Sequence, residues 1–210
     1  MKVDFINKDY LRENFFTMWG KSACVCYDTN EKYAAGVGKS CMKSGHFSGS
    51  RGLYFTFKIS DVPRSLVDQL IRHEQGVFKN VQSFRYVSKN AFAYYTPTLI
   101  VDCPKALEIY DRAMQDAARS YTEIQLALRD HYKERIDAGT LSSEIINQSA
   151  RGVIPMNTNS ELVIGFTIEA LIHLMELRLC TRTEEHLRKL ARIIRKEVLD
   201  VFPEFEDKFK

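Results

Sequence analysis

The stretch Leu53-Tyr54-Phe55-Thr56-Phe57-Lys58-Ile59-Ser60 decides the fold class. Its odd-numbered positions carry large apolar side chains, and its even-numbered positions carry Tyr, Thr and Lys. Because successive side chains of a strand point to opposite faces, this alternation predicts a half-buried β-strand. Asp61 and Pro63 follow and are typical of a helix start, so a helix is predicted to run to about Glu74, with Gly76 ending it.

The segments on both sides of this strand predict a modest sheet in the first half and helices in the second. The apolar run Ala23–Tyr27 predicts a strand, and the Gly/Ser-rich segment Lys39–Gly52 predicts a loop. Asn80–Pro97 is rich in aromatic residues without a helical period, which indicates a loop with a short strand. Apolar residues at steps of three and four, and two Thr-x-x-Glu capping boxes, predict the later helices. These helices are Lys105–Ile136, Ser142–Arg151, Thr158–Leu179 and a last one after Thr181. The pattern is that of an α+β fold, with residues 1–210 forming one domain.

The composition is that of an ordinary soluble globular protein, with 45% hydrophobic and 27% charged residues among 210. The net charge of +3 is too small to indicate binding to a nucleic acid polymer, although a few arginines can still bind a small anion. There is no uninterrupted apolar run of about 18 residues, and the charged segment Met1–Glu13 lacks the apolar core of a signal peptide. The five cysteines form no disulfide framework or metal-binding spacing, which indicates a reducing compartment and predicts a cytoplasmic protein without a metal.

Polar residues cluster where the second half of the predicted helix meets the following loop. Gln69, Arg72 and His73 fall on one side of the helix, and the polar run Asn80–Tyr86 comes next. Arginine offers a planar fork that matches a phosphate group or a uracil edge. Four arginines at one cavity would therefore suit a nucleoside monophosphate: Arg72, Arg85, Arg151 and Arg178. Helix-terminal arginines also cap carbonyl groups or face solvent, and His73 is equally compatible with a hydrogen-bonded core histidine.

Four sequence blocks, in the same order, resemble the signature of the flavin-dependent thymidylate synthase family. They are Ser44–Ser48, Arg72-His73-Glu74 with Asn80-x-x-Ser83-x-Arg85-Tyr86, Ala150–Pro155 and Leu171–Arg178. The resemblance implies a small, mostly antiparallel sheet flanked by long helices. It also implies a flavoprotein methyltransferase of dTMP biosynthesis that converts dUMP to dTMP. Such an enzyme uses FAD as cofactor, methylenetetrahydrofolate and NADPH as co-substrates, and assembles as a homotetramer.

Residue roles follow from the same resemblance. Arg178 would face the uracil ring and favour its deprotonated form, and Arg178 and Ser83 are the implied catalytic residues. The residues implied to surround dUMP are Gln69, Arg72, Gln82, Ser83, Phe84, Arg85, Arg151 and Arg178. The residues implied to line the flavin are Ser48, Arg72, His73, Glu74, Asn80, Thr167, Glu169 and His173.

The sequence departs from the family pattern mainly on the flavin side. Glu74 and Glu169 stand where the family favours arginine, while Arg51 stands where it favours an acidic residue. A carboxylate beside a pyrophosphate is repulsive, and a Glu169–His173 pair at helical spacing is expected to neutralise part of that charge. Two other functions stay open: a related flavin-dependent enzyme that modifies pyrimidine nucleotides, such as a hydroxymethylase, and a non-catalytic nucleotide-binding protein.

Overall fold

The computed structural model describes residues 1–209, and Lys210 alone lies outside the described residues. Four strands form one antiparallel sheet in the order β1-β2-β4-β3. The strands are β1 (Lys2–Phe5), β2 (Phe55–Pro63), β3 (Val77–Val81) and β4 (Asn159–Phe166). The helices are α1 (Lys8–Tyr27), α2 (Ala34–Lys43), α3 (Arg64–Leu70), α4 (Thr98–Val101), α5 (Pro104–His131), α6 (Lys133–Asp137), α7 (Ser143–Ala150), α8 (Ile168–Arg178) and α9 (Glu185–Leu199). The predicted α+β class is confirmed.

Strand β2 is the strand predicted from the alternating stretch. Phe55, Phe57 and Ile59 are completely buried, which confirms the predicted inward face. The strand continues to Pro63, so α3 begins only at Arg64 and ends at Leu70. The predicted helix between Asp61 and Glu74 was therefore too long at both ends.

The N-terminal region is helical, and the predicted strand at Ala23–Tyr27 is wrong. These residues form the last turns of α1, whose buried residues Leu11, Phe15, Trp19 and Ala23 recur every four positions. The predicted loop at Lys39–Gly52 is also wrong in part, because α2 extends to Lys43. A Cβ atom at Gly20 would lie 1.6 Å from the carbonyl oxygen of Ala34, so the contact between α1 and the start of α2 requires glycine at this position.

The predicted helix Thr158–Leu179 is divided into strand β4 and helix α8. Ser160, Leu162 and Ile164 are buried at every second position, which is the period of a strand. The true helix cap is Thr167, whose hydroxyl group accepts a hydrogen bond from the amide of Ala170 at 3.3 Å. The apparent capping box at Thr158 therefore lies where the chain enters a strand. The predicted helix Lys105–Ile136 corresponds to two helices, α5 and α6, which are separated at Tyr132. Helices α7 and α9 agree with their predictions to within a few residues.

The chain contains two compact units that interleave in sequence. The first comprises residues 1–59, 68–80 and 162–210, and the second comprises residues 60–67 and 81–161. Nothing observed tests the predicted single domain, which stays a prediction. The first unit has an aromatic core. The ring centroid of Phe15 lies 5.0 Å from that of Phe55 and 5.3 Å from that of Phe202. In this core, side chains near the two ends of the sequence pack against strand β2.

The second unit contains a buried polar chain between α5 and α7. The side-chain amide of Gln125 donates to the hydroxyl group of Tyr121 at 3.0 Å and to the carbonyl oxygen of the Asn147 side chain. Asn147 in turn donates to the backbone carbonyl of Arg85 at 2.9 Å. Because buried polar groups are costly unless they are paired, this chain fixes the backbone of the loop that carries Arg85.

Within the described residues, no helix is both long and apolar enough to span a membrane.

Candidate functional site

A cavity of about 850 Å³ opens in the first unit. Its wall comes from the segments 51–54, 72–77 and 167–178. This volume falls in the range of roughly 300–1,000 Å³ that is usual for small-molecule and cofactor pockets.

The turn at Gly76 joins two of these segments tightly. Gly76 has a φ of +68°, and its carbonyl oxygen accepts a hydrogen bond from the amide of Thr167 at 2.8 Å. A Cβ atom at Gly76 would lie 2.4 Å from the hydroxyl oxygen of Thr167. The turn therefore requires glycine, and it brings the N-terminus of α8 against the residues that follow α3.

His73 and Arg178 form a hydrogen-bonded pair in the cavity wall. Nε of Arg178 donates to Nε2 of His73 at 3.0 Å, which places the imidazole proton on Nδ1. Burial, followed by the charges of Arg178, His173 and Lys79, lowers the pKa of His73 to about 4. His73 is therefore a neutral acceptor at neutral pH and fixes the direction of the Arg178 guanidinium group.

Glu169 forms its ion pair with Arg51. Nε and Nη2 of Arg51 donate to the two carboxylate oxygens of Glu169 at 3.0 and 3.2 Å. These bonds raise the pKa of Arg51. The predicted Glu169–His173 pair is wrong, because both carboxylate oxygens of Glu169 accept from Arg51. Nδ1 of His173 instead lies 3.7 Å from a carboxylate oxygen of Glu176.

Three arginines and two glutamates give the cavity wall its charge, namely Arg51, Arg72, Arg178, Glu74 and Glu169. The bidentate contact with Arg51 offsets the charge of Glu169. The wall therefore has guanidinium groups suited to an anionic ligand, despite the two carboxylates.

Most of the residues predicted to line a flavin also line this cavity. Those that do are Arg72, His73, Glu74, Thr167, Glu169 and His173. The other two are not part of the lining: Ser48 is exposed in the short 3₁₀ helix Phe47–Ser50, and Asn80 is exposed in β3. Of the predicted nucleotide-binding residues, Arg72 and Arg178 line the cavity, whereas Gln69 donates its side-chain amide to Glu184.

The second unit holds the remaining predicted residues, four of them in a turn after β3. The carbonyl oxygen of Ser83 accepts from the amide of Val87 at 3.1 Å, and the Ser83 hydroxyl group accepts from the amide of Arg85 at 3.3 Å. The side-chain amide of Gln82 lies 3.5 Å from a carboxylate oxygen of Glu161. Arg151 is exposed in the 3₁₀ helix that follows α7.

The buried side chain of Lys89 stabilises the turn formed by residues 82–85. Its ammonium group donates to the side-chain oxygen of Gln82 at 2.8 Å and to the carbonyl oxygen of Asn159 at 3.2 Å. It also lies 4.5 Å from the ring centroid of Phe84. Lys89 is buried, and burial lowers its pKa. No motif in the sequence marks this lysine.

Arg85 carries a buried hydrogen-bond donor that has no acceptor in the described part of the chain. Its Nε atom is buried and has no hydrogen-bond partner among residues 1–209. An unpaired buried donor costs about 1–3 kcal/mol, so this atom is available to donate to a ligand that reaches it.

No sequence motif marks Tyr54, Lys79 or Lys89 as site residues, and Arg51 stands out in the sequence only as a departure from the family pattern. Tyr54 lines the cavity, and the ammonium group of Lys79 donates to the backbone carbonyls of Ile71 and His73 at 2.5 and 3.3 Å. Within residues 1–209, no group of three or more His, Cys, Asp or Glu side chains is arranged to hold a metal ion.

Comparison with known proteins identifies the family. Residues 13–204 match the family described as thymidylate synthase complementing protein. The chain belongs to this family. The match spans both units, and the family is the one that the four sequence blocks resemble.

Curated relatives named flavin-dependent thymidylate synthase align with most of the chain. The protein from Nitratidesulfovibrio vulgaris is 33% identical over 165 residues, which cover 79% of this chain and 64% of the relative. The protein from Clostridium tetani is 30% identical over 165 residues, which cover 77% and 65%. The protein from Mycolicibacterium vanbaalenii is 28% identical over 176 residues, which cover 84% and 70%. The chain thus spans a little less than two thirds of the length of the first two of these relatives.

Proposed function

We propose that this chain is a flavin-dependent thymidylate synthase that converts dUMP to dTMP by reductive methylation. The observation that carries the proposal is the single cavity lined by Arg72, His73 and Glu74 together with Glu169, His173 and Arg178. Arg72, His73 and Glu74 belong to one block that resembles the family signature, and His173 and Arg178 belong to another, far away in sequence. Glu169 lies two residues before this second block. Curated relatives with this name support the same activity.

The cavity fits FAD in size and in the chemistry of its donors. Arg51 and Arg72 offer guanidinium groups to a pyrophosphate, and the N-terminus of α8 at Thr167 favours negative charge. Thr167, His73 and His173 would hold the rest of the cofactor. When bound, the flavin supplies the hydride chemistry that no protein side chain provides.

Arg178 is proposed to act on the uracil ring. Because its Nε–H bond is directed to His73, the terminal nitrogens of its guanidinium group can donate to a uracil oxygen. A fixed cation next to the ring stabilises the negative charge that develops when N3 loses its proton. In this role, neutral His73 accepts the hydrogen bond from Arg178 and thereby fixes the orientation of the guanidinium group.

Two groups of residues are proposed to bind the nucleotide. Gln69, Arg72 and Arg178 belong to the first unit. The residues of the second unit are Gln82, Ser83, Phe84, Arg85 and Arg151. The buried, unsatisfied Nε of Arg85 supports this assignment, because a phosphate oxygen would supply the missing acceptor.

The remaining features of the proposal concern co-substrates, assembly and compartment. Methylenetetrahydrofolate is proposed as the carbon donor and NADPH as the reductant of the flavin. A homotetramer is supported by apolar side chains exposed on α5, such as Ile109 and Leu126. All five cysteines are free thiols, which supports a reducing compartment such as the cytoplasm.

The test is to incubate the purified protein with FAD, NADPH, methylenetetrahydrofolate and dUMP, and to determine the mass of the nucleotide product. We expect a gain that corresponds to replacement of one hydrogen by a methyl group, and no gain when FAD is omitted. A gain that corresponds to a hydroxymethyl group would identify the related modifying activity instead. An unchanged nucleotide would contradict the proposed function.

A further inference from the structure

Two cavity residues of opposite charge, Arg51 and Glu169, meet in one contact. Arg51 precedes strand β2, and Glu169 lies in the first turn of α8, 118 residues further along the chain. The structure joins these two side chains by two hydrogen bonds at the wall of the cavity.

We propose that Arg51 binds a phosphate group of the dinucleotide cofactor and that Glu169 positions its guanidinium group. The proposal rests on the proposed function, because it assumes that the cavity holds FAD. It gives Arg51 the contact with the phosphate group and Glu169 a positioning role.

The geometry leaves Arg51 able to bind an anion. A guanidinium group has five N–H donors, and two of its nitrogens each direct one bond to Glu169. The remaining donors are available to phosphate oxygens. The Arg51 side chain is 68% exposed and lines the cavity, so a ligand can reach it.

The alternative role, stabilisation of the fold, explains less. Exposed ion pairs contribute little to folding, usually about 0–1 kcal/mol. Both residues are partly exposed, with 37% exposure for the Glu169 side chain. An exposed ion pair in the wall of a cofactor-sized cavity is better explained by the N–H donors that Arg51 offers to a ligand.

Removal of Arg51 should be more harmful than loss of one hydrogen-bond donor. Glu169 would then keep its charge without a partner, in a wall that also carries Glu74. Two uncompensated carboxylates would repel a pyrophosphate. Loss of Glu169 alone removes the positioning contact but also removes an anion, so its effect should be smaller.

The experiment measures binding to protein freed of flavin, by fluorescence for FAD and riboflavin and by calorimetry for ADP. We expect Arg51→Ala to raise the Kd for FAD and ADP about 10- to 100-fold, as for loss of a charge-assisted bond. Riboflavin carries no phosphate, so its Kd should not change. Arg12→Ala is the matched control, because Arg12 is an exposed, ion-paired arginine outside the cavity lining.

Charge exchange tests the partnership of the two residues. Arg51→Glu should weaken FAD binding more than Arg51→Ala, and the double variant Arg51→Glu/Glu169→Arg should recover at least part of the lost affinity. The midpoint of thermal unfolding should stay within about 2 °C in the double variant, since the pair contributes little to stability.

The outcomes separate this inference from the proposed function. An unchanged Kd for FAD in Arg51→Ala, an equal change for riboflavin, or no recovery in the double variant would overturn the inference. If the wild type binds ADP through Arg51 but binds no flavin, the proposed function fails while the phosphate-binding role stands. If it binds neither FAD nor ADP, both are wrong.

Discussion

Arg178 donates a hydrogen bond to His73 in the cavity wall. The residue proposed to act on uracil is therefore oriented by a residue proposed to hold the flavin. We expect Arg178→Ala to abolish turnover while FAD stays bound, because other cavity residues are proposed to hold the cofactor. Turnover is measured by product mass, and bound flavin by its absorbance. Arg182→Ala is the control, since Arg182 is exposed and does not line the cavity. Activity retained in Arg178→Ala would contradict its catalytic assignment.

His73 should make folding stability depend on pH. Its pKa is about 4 in the folded protein, against 6.5 for an unperturbed histidine, so the unfolded state binds more protons between these values. The contribution of neutral His73 is complete above pH 6.5 and is lost as pH falls towards 4. At about 1.4 kcal/mol per pKa unit, the loss is on the order of 3 kcal/mol.

The measurement is urea unfolding of the wild type and of His73→Gln between pH 7.5 and pH 4. Gln keeps an acceptor for Arg178 but does not titrate. The free energy of unfolding should therefore fall more steeply for the wild type than for the variant as the pH is lowered. Parallel curves would mean that His73 does not have the depressed pKa.

At the scale of single residues, the sequence predicted what short motifs carry. Arg72, His73 and Arg178 stand in motifs, and all three line the cavity. The partner of Glu169 could not be predicted, because Arg51 is 118 residues away in the sequence. The helical spacing of Glu169 and His173 predicted a pair between them. Spacing within one helix contains no information about a competing partner from another segment.

Among the elements, α8 depends on its N-cap. Thr167 accepts from the amide of Ala170 and packs against the Gly76 turn. Thr167→Ala should lower the free energy of unfolding by about 1 kcal/mol, as for loss of other N-caps. Thr167→Ser is the matched control, since it keeps the hydroxyl group, and urea unfolding of both variants without flavin gives the comparison. Equal stability of the two variants would show that the cap contributes nothing.

Predicted elements failed where one local pattern suits two structures. Thr158 and Glu161 have the spacing of a capping box, yet they enter strand β4, where Leu162 and Ile164 alternate towards the core. Ala23–Tyr27 is apolar enough for a strand, but its residues continue the buried side of α1. Tertiary packing decides between such alternatives, and a short window of sequence does not contain it.

For the whole molecule, the proposed homotetramer can be tested on α5. Ile109 is 50% exposed and Leu126 is 61% exposed on this helix. The double variant Ile109→Glu/Leu126→Glu should shift the mass measured by light scattering from a tetramer to smaller species. Gln115→Glu, which adds a charge at an exposed polar position of α5, should leave the mass unchanged. A tetramer that survives the double substitution would exclude these two positions from the interface.

The division into two interleaved units was not predictable from the sequence. Each unit takes residues from more than one stretch, and the boundaries at 59, 80 and 161 fall inside strands rather than in linkers. No change in composition marks such a boundary, because a strand that leaves one unit and enters the other keeps the same alternation.

The interleaving also has a consequence for the order of events on the ribosome. Most of the second unit is the continuous stretch 81–161, so its contacts become possible as soon as that stretch has emerged from the exit tunnel. The first unit must wait for residues after 162, because Phe15 and Phe55 pack against Phe202. Until then the nascent N-terminal aromatic side chains lack their partners, which makes this interval the one in which chaperones would be needed most.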